Sequence, residues 1–339
     1  MMTSHDYISD RHSIMLLTIR FDAERNDDLK PLNLKNFNIL ARRIASSPLS
    51  RPSKLLELSE AEIGEQLEID EKSAKLIAGL LSRKHSLAIE LSNIEEKGIR
   101  AISRAEPEYP SKLLDKLKHL APPLIFYAGD LSILNNKAVS IVGSRKPSQS
   151  LLDQAHLLGE KCAQSGVTVV SGAAKGVDMH AMMGSLQNGG LAAGIVADSL
   201  KSFIRKDEIS RFVRDGRLVL LSAFPPWEKF TVWRAMDRNK YIYSLSDFGI
   251  VVRSDLEKGG TWSGATECIE KNYCALFVLN LGKEERGNAK LIDMRGIPLD
   301  IDMISREPDI YRLLSGMIER DSEEEPFIGQ NVKQLPLWF

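Results

Sequence analysis

The chain has 339 residues, of which 45 are basic and 46 acidic, giving a formal charge of -1, and 43% are hydrophobic. That length allows two domains, one of them with a large buried core, while the near-zero charge does not announce a nucleic-acid binder. No run approaches the ~20 apolar residues of a membrane span, so no membrane partner is expected.

Taken in order, Ile14-Met15-Leu16-Leu17 reads as the start of a helix and residues 22–28 as a polar connector. Residues 29–46 then place Leu34, Phe37, Leu40 and Ile44 at helical spacing, with Arg42 and Arg43 side by side. Residues 55–81 read as short helices punctuated by Gly64 and Gly79. Such a cluster fits a small DNA-binding module of the helix-hairpin-helix (SAM-like) sort, and equally a bundle used only for packing. Arg83-Lys84-His85 is either a phosphate contact or a solvated face. A further helix over 87–97 ends near Gly98, a good capping residue. Residues 99–102 and 124–127 read as short strands that enter a sheet.

The organising stretch runs from 138 to 280. Apolar, β-branched runs at 138–142, 167–170, 192–196, 218–221, 249–252 and 275–279 alternate with segments of helical length. That order predicts an α/β fold, a doubly wound and mostly parallel Rossmann-like sheet preceded by the small helical domain. Ligands bind such sheets at the carboxyl ends of the strands. Those ends carry Gly143-Ser144-Arg145, Ser171-Gly172-Ala173-Ala174-Lys175-Gly176 and Lys258-Gly259-Gly260-Thr261. Glycine-rich turns with positive charge propose a phosphate-bearing ligand.

Beyond residue 304 the sheet pattern ends. One helix over 309–319 leads into an acidic linker, and the chain closes on Gln334-Leu335-Pro336-Leu337-Trp338-Phe339. The expected division is a helical domain at 1–97, a sheet domain at 98–304, and a helix, linker and peptide at 305–339. Cys162, Cys268 and Cys274 form no CxxC pair, and their odd number argues against a disulfide framework. With no histidine after His180, a mixed metal cluster in the second half has nothing to be built from, and neither metal nor cofactor is expected. Residues 14–19 are too short for a signal peptide and are followed by charge, so a cytoplasmic protein is the simple expectation.

Among single residues, Arg145 and Lys175 are the leading phosphate contacts, followed by Arg238 and Lys240. Asp178 reads as a helix-capping or loop-ordering residue rather than a general base. Trp233 and Trp262 either stack on bases or pack in the core. No nucleophile, base and acid come together around Ser144 or Ser171, and His180 reads as an ordinary histidine. Glu267 is the one carboxylate whose context suggests chemistry.

Four motifs in order resemble the DprA/Smf (DNA-processing protein A) family over roughly residues 95–282. They are Gly98-Ile99 with Tyr109-Pro110 and Leu113, then Ile141-Val142-Gly143-Ser144-Arg145, then Ser171-Gly172-Ala173-Ala174-Lys175-Gly176-Val177-Asp178, and Arg238-Asn239-Lys240. The resemblance implies single-stranded DNA binding by Gly143, Ser144, Arg145, Ser171, Gly172, Lys175, Gly176, Arg238, Asn239, Lys240, Gly259, Gly260 and Thr261. It also implies help in loading a RecA-type recombinase during transformation, recombination or a response to foreign DNA, a homodimer through the sheet domain, and no catalysis. Met182 stands where the family has histidine, Lys240 replaces an arginine, and the family's winged helix has no room after residue 304. Gly259-Gly260-Thr261 with Glu267 partly resembles the loop of LOG-type nucleotide phosphoribohydrolases, which implies the alternative of a nucleotide sensor or hydrolase. The last six residues resemble the peptide by which bacterial proteins dock on the β sliding clamp; folding back to cap an apolar groove on the sheet domain explains an apolar end equally simply. That likeness assigns Gln334, Leu335, Leu337 and Phe339 to the contact and the acidic linker to a tether.

Overall fold

The computed structural model describes residues 4–22 and 29–324. Five helices come first: α1 (Ser4–Thr18), α2 (Leu34–Ser46), α3 (Glu60–Leu67), α4 (Glu71–Leu81) and α5 (Lys84–Glu95). Ile14, Met15, Leu16 and Leu17 are buried at the end of α1, so this run closes a helix where the sequence had suggested a start. Gly64 and Gly79 lie inside α3 and α4 rather than between helices. The break between those helices comes from Glu68 in the left-handed conformation and from Asp70, which caps α4 by accepting from Ser73 N–H at 2.9 Å. Arg83 is buried and donates to the carbonyls of Leu80, Leu16 and Ile19. It therefore ties α1 to α4 and α5 and is withdrawn from any phosphate.

Nine strands follow in one sheet: β1 (Arg100–Ser103), β2 (Leu124–Ala128), β3 (Ala138–Val142), β4 (Thr168–Ser171), β5 (Ala192–Ile195), β6 (Leu218–Ser222), β7 (Phe248–Val251), β8 (Ala275–Leu279) and β9 (Ile297–Leu299). Their order is β1-β2-β6-β5-β4-β3-β7-β8-β9. β1, β2 and β6 pair antiparallel, and all the other pairs are parallel. The doubly wound α/β expectation holds, with the parallel strands near the expected positions. The patterning did not announce β9, whose three residues include Pro298; an edge position tolerates the missing donor.

Side chains alternate across the sheet into two cores. Val139, Ile141, Val169 and Ile250 face one core, which continues without a break into the five N-terminal helices. Ala138, Val142, Val170 and Val251 face the other. The remaining helices are α6 (Ser111–Leu117), α7 (Gln149–Gln164), α8 (Val177–Gln187), α9 (Leu200–Phe203), α10 (Asp207–Arg214), α11 (Val232–Asp237), α12 (Asn239–Ser244), α13 (Gly259–Lys271), α14 (Arg286–Asp293), α15 (Ile301–Arg306) and α16 (Ile310–Glu324). Helices α7, α8 and α16 cover the first face, and α6, α12 and α13 the second. α16 runs on to Glu324, so most of the stretch read as an acidic linker is helical. The peptide from Gln334 to Phe339 lies outside the described residues.

The strand order reverses beside β3: β4, β5 and β6 are laid down on one side and β7, β8 and β9 on the other. At such a switch the loops leaving β3 and β7 diverge to opposite faces and open a crevice at their carboxyl ends.

Candidate nucleic-acid interface

Two loops are laced together on one side of this crevice. Gly143, Ser144 and Arg145 leave β3, and residues 172–176 leave β4 before α8 begins. Gly176 has φ 90°, and a Cβ there would stand 2.5 Å from the Ser144 carbonyl oxygen. Only glycine allows that approach, and Val177 N–H then donates to the same carbonyl at 3.2 Å. Asp178, buried in the first turn of α8, accepts from Gly143 N–H at 3.3 Å and from Ala174 N–H. It orders both loops, as its context had suggested.

Arg238 joins this arrangement from between α11 and α12. Its guanidinium fills the space left by Gly172 and donates from Nη1 to the Ile195 carbonyl at 2.9 Å. Burial pushes the Asp178 carboxyl up and the Arg238 guanidinium down, and the two opposite charges counter each other's shift. Arg238 Nε is buried with no hydrogen-bond partner among the described residues, although Arg238 lines the crevice. A buried donor left over in this way suits an acceptor entering from the cleft.

The crevice is a cleft of about 430 Å³. Gly143, Ser144, Arg145 and Lys146 form one wall; Arg253, Asp255, Lys258, Gly259, Gly260 and Thr261 form the other. Gly259, Gly260 and Thr261 are the first residues of α13, so that helix presents its unpaired N–H groups and its positive dipole end to the cleft. Asn239 Nδ2 donates to the Gly260 carbonyl at 2.8 Å, which fixes the start of α13 against α12. Arg253 is held by Asp255 and Glu285, each at 3.0 Å, whereas Arg145 and Lys258 are exposed. Phe230, Val232 and Met236 make an apolar lip at the mouth, and Arg145 lies 5.1 Å from the centroid of the Phe230 ring. Trp233 is 66% exposed beside them, resting at 5.9 Å on Phe224. Exposed aromatics next to cations are the usual makings of a base-stacking platform.

The structure thus gathers Gly143, Ser144, Arg145, Arg238, Asn239, Gly259, Gly260 and Thr261 around one cleft. It places the other expected residues elsewhere. Lys240 pairs with Asp237 at 2.6 Å and packs over Tyr241, so it does not line the cleft. Ser171 is buried and donates to the Ile141 carbonyl at 2.6 Å, a tie between strands rather than a ligand contact. Gly172 and Gly176 act by making room, for Arg238 and for Ser144. Lys175 is exposed on the loop that rests on Arg145, outside the cleft lining. Trp262 is half-buried in the second core, and Glu267, which accepts from the Tyr273 hydroxyl at 3.0 Å, also lies outside the cleft. His180 points Nδ1 at the Gly176 carbonyl, 2.9 Å away. No group of three or more metal-ligating side chains is gathered among the described residues. Sequence reasoning missed Lys146, Arg253 and the lip of Phe230, Val232 and Met236. Lys146 was legible as the neighbour of Arg145; the lip was not, because an exposed apolar residue looks like core in a sequence.

The family model described as DNA recombination-mediator protein A matches residues 100–300. The DNA processing protein DprA of Bacillus subtilis is 27% identical over 183 residues, covering 53% of this chain and 61% of that protein. DprA of Streptococcus pneumoniae is 33% identical over 144 residues, 41% of this chain and 49% of that one. The chain thus spans about half to three-fifths of the length of these relatives. The fold resembles the crystal structure of S. pneumoniae DprA with a TM-score of 0.57 and 20% identity, over 79% of this chain and 95% of that one. It also resembles the Helicobacter pylori protein, whose structure concerns its single-stranded DNA binding mode, with a TM-score of 0.53 and 24% identity, over 64% of this chain and 96% of that one. With well over half its length matched, and with the motifs of strands β3 and β4 and of Arg238 meeting at one cleft, the chain belongs to the DNA recombination-mediator protein A (DprA/Smf) family.

Proposed function

We propose that the switch-point cleft binds single-stranded DNA. The observation that carries this reading is the meeting of three features at one crevice: the α13 N-terminus, the cations Arg145, Lys146 and Lys258, and the Phe230 lip with the exposed Trp233 ring beside it. Phosphates sit against the helix end and the cations, while unpaired bases stack on the exposed rings. A duplex keeps its bases stacked on each other and cannot use the lip. The likeness to the H. pylori protein supports the same ligand.

On this reading the protein is a DNA-binding accessory factor of the cytoplasm that helps load a RecA-type recombinase and works as a homodimer through its sheet domain. Residues 1–97 serve as a helical domain, 98–304 as the DNA-binding domain and 305–339 as an appendage. Gln334, Leu335, Leu337 and Phe339 supply the contact with the β sliding clamp. No catalytic role is given to Glu267, whose partner is Tyr273. A titration of labelled single-stranded and duplex oligonucleotides against the full chain and Trp233→Ala tests the reading. It expects preference for the single strand, reduced in the variant; equal binding of duplex, or an unaffected variant, would overturn it.

A further inference from the structure

A second depression lies far along the sheet from the cleft, where α2 faces the turn before β2 and the end of β1. It is a groove of about 1060 Å³. Ile14, Phe37 and Ile44 lie buried beneath its floor, Leu34, Ala41 and Ala45 supply its open apolar surface, and Leu120 stands 38% exposed at its rim. The polar groups of its lining are one-sided: Lys35, Arg42 and Arg104 line it, and no carboxylate does among the described residues. Lys35 and Arg42 are exposed, while Arg104 is half-buried.

Arg104 is the informative member. Its guanidinium lies 5.4 Å from the Phe37 centroid and donates to Asn38 Oδ1 at 2.7 Å. Asn38 in turn donates to the His119 carbonyl at 2.7 Å, so the wall is braced before anything binds. Burial lowers the pKa of Arg104, opposed by the Tyr109 hydroxyl and by no carboxylate. A partly dehydrated guanidinium without a carboxylate gains more from an incoming anion than a fully hydrated one does.

We infer that this groove is a docking site for an acidic, amphipathic peptide segment of a partner protein, with apolar side chains on Leu34, Ala41 and Leu120 and carboxylates on Arg104, Arg42 and Lys35. Charge complementarity selects an acidic partner, and the apolar surface selects a peptide over nucleic acid. Of the rings in the lining, Phe37 is buried and engaged by Arg104, which leaves the exposed His119 imidazole as the single ring a base could meet there. Apolar anchors in a preformed groove, ringed by charge, are how amphipathic segments are held.

The test is selection of a random-peptide display library on the full-length protein, followed by anisotropy titration of the enriched peptides as fluorescein conjugates. The enriched peptides are expected to be net acidic, with at least two large apolar residues. Arg42→Glu, on an exposed side chain, and Ala41→Trp, which fills the groove, should each weaken them by about tenfold or more, ~1.4 kcal/mol per decade. Oligonucleotide affinity and melting temperature should stay unchanged in Arg42→Glu. Enrichment of basic or neutral peptides, or equal binding to Arg42→Glu, would refute the assignment. So would a loss of oligonucleotide affinity in Arg42→Glu, which would make the groove a nucleic-acid surface. Altered sedimentation of that variant without peptide would make it a contact between copies, and would refute it equally.

Discussion

Gly172 and Arg238 share one space: a Cβ on Gly172 would stand 1.6 Å from Arg238 Nη1 and 2.5 Å from Asp178 Oδ2. The glycine of the β4 loop and the arginine of the later motif are thus halves of a single fitting, with Asp178 as the counter-charge. Neither motif makes sense alone. Together they set the loops that form one wall of the cleft.

Gly172→Ala should therefore cost about 1–3 kcal/mol, because the buried guanidinium has nowhere cheap to move. Arg238→Met should cost more, ~3–5 kcal/mol, by leaving Asp178 buried without its partner. The deficit of Arg238→Met should also depend on pH. Burial raises the folded-state pKa of Asp178 above its unfolded value, so the native state holds the proton longer and stability falls as pH rises through that window. Removing Arg238 takes away the opposing charge and widens the window. Urea midpoints of both proteins between acidic and neutral pH check this; a deficit that shrinks as pH rises would contradict it.

The three thiols should be silent in the folded protein. Cys162 and Cys268 are 0% exposed and Cys274 is 9% exposed, and burial pushes the Cys162 thiol up to about 12. Cys268 and Cys274 nevertheless lie with their sulfurs 3.7 Å apart, a proximity that their spacing in the chain did not announce. A thiol reagent at mildly alkaline pH is expected to label none of them natively and all three in denaturant. Because an unfolded thiol ionises near ~8.5, Cys162 favours the native state less as pH rises above that value. Rapid labelling of Cys162 in the native protein would contradict the packing of α7 against the sheet.

Trp233→Ala should weaken single-strand binding by about 5- to 150-fold, the equivalent of ~1–3 kcal/mol per stacked base. At 66% exposure the ring contributes little to the core, so the melting temperature should move little. Anisotropy titration and a melting curve on the same preparation separate the two effects.

Deletion of 334–339 should abolish binding to the β sliding clamp while leaving DNA affinity unchanged. Surface plasmon resonance with immobilised clamp reads the first, and oligonucleotide titration the second. Unaltered clamp binding by the truncated chain would refute the assignment to Gln334, Leu335, Leu337 and Phe339.

The sheet was legible because buried parallel strands are written as short β-branched runs, and six of the nine appear so. The glycine-rich ends of β3, β4 and β7 were legible for a related reason, since tight approach leaves few residue choices. What each polar side chain does there was harder to read. Lys240 carries the right charge in the right motif, but three residues earlier on its own chain Asp237 takes it up. Ser171 looked like a loop hydroxyl and is a buried tie to Ile141. Helix α16 outruns its apolar pattern because helical hydrogen bonds tolerate an acidic surface that the sequence suggested was a linker. The groove beside α2 depends on residues more than sixty positions apart, such as Asn38 and Arg104, and no local pattern announces such a pairing.

The central claim is that Arg145, Lys146 and Lys258, with Lys175 on the adjoining loop, hold the phosphates of a single strand. The most direct test is oligonucleotide affinity measured across a series of salt concentrations for the parent chain and for the double variant Arg145→Ala with Lys258→Ala. Four phosphate contacts predict that affinity falls roughly sevenfold for each doubling of salt, and losing two of them should reduce this to roughly 2.6-fold. A folded double variant with the parent's affinity and the parent's salt slope would contradict the account.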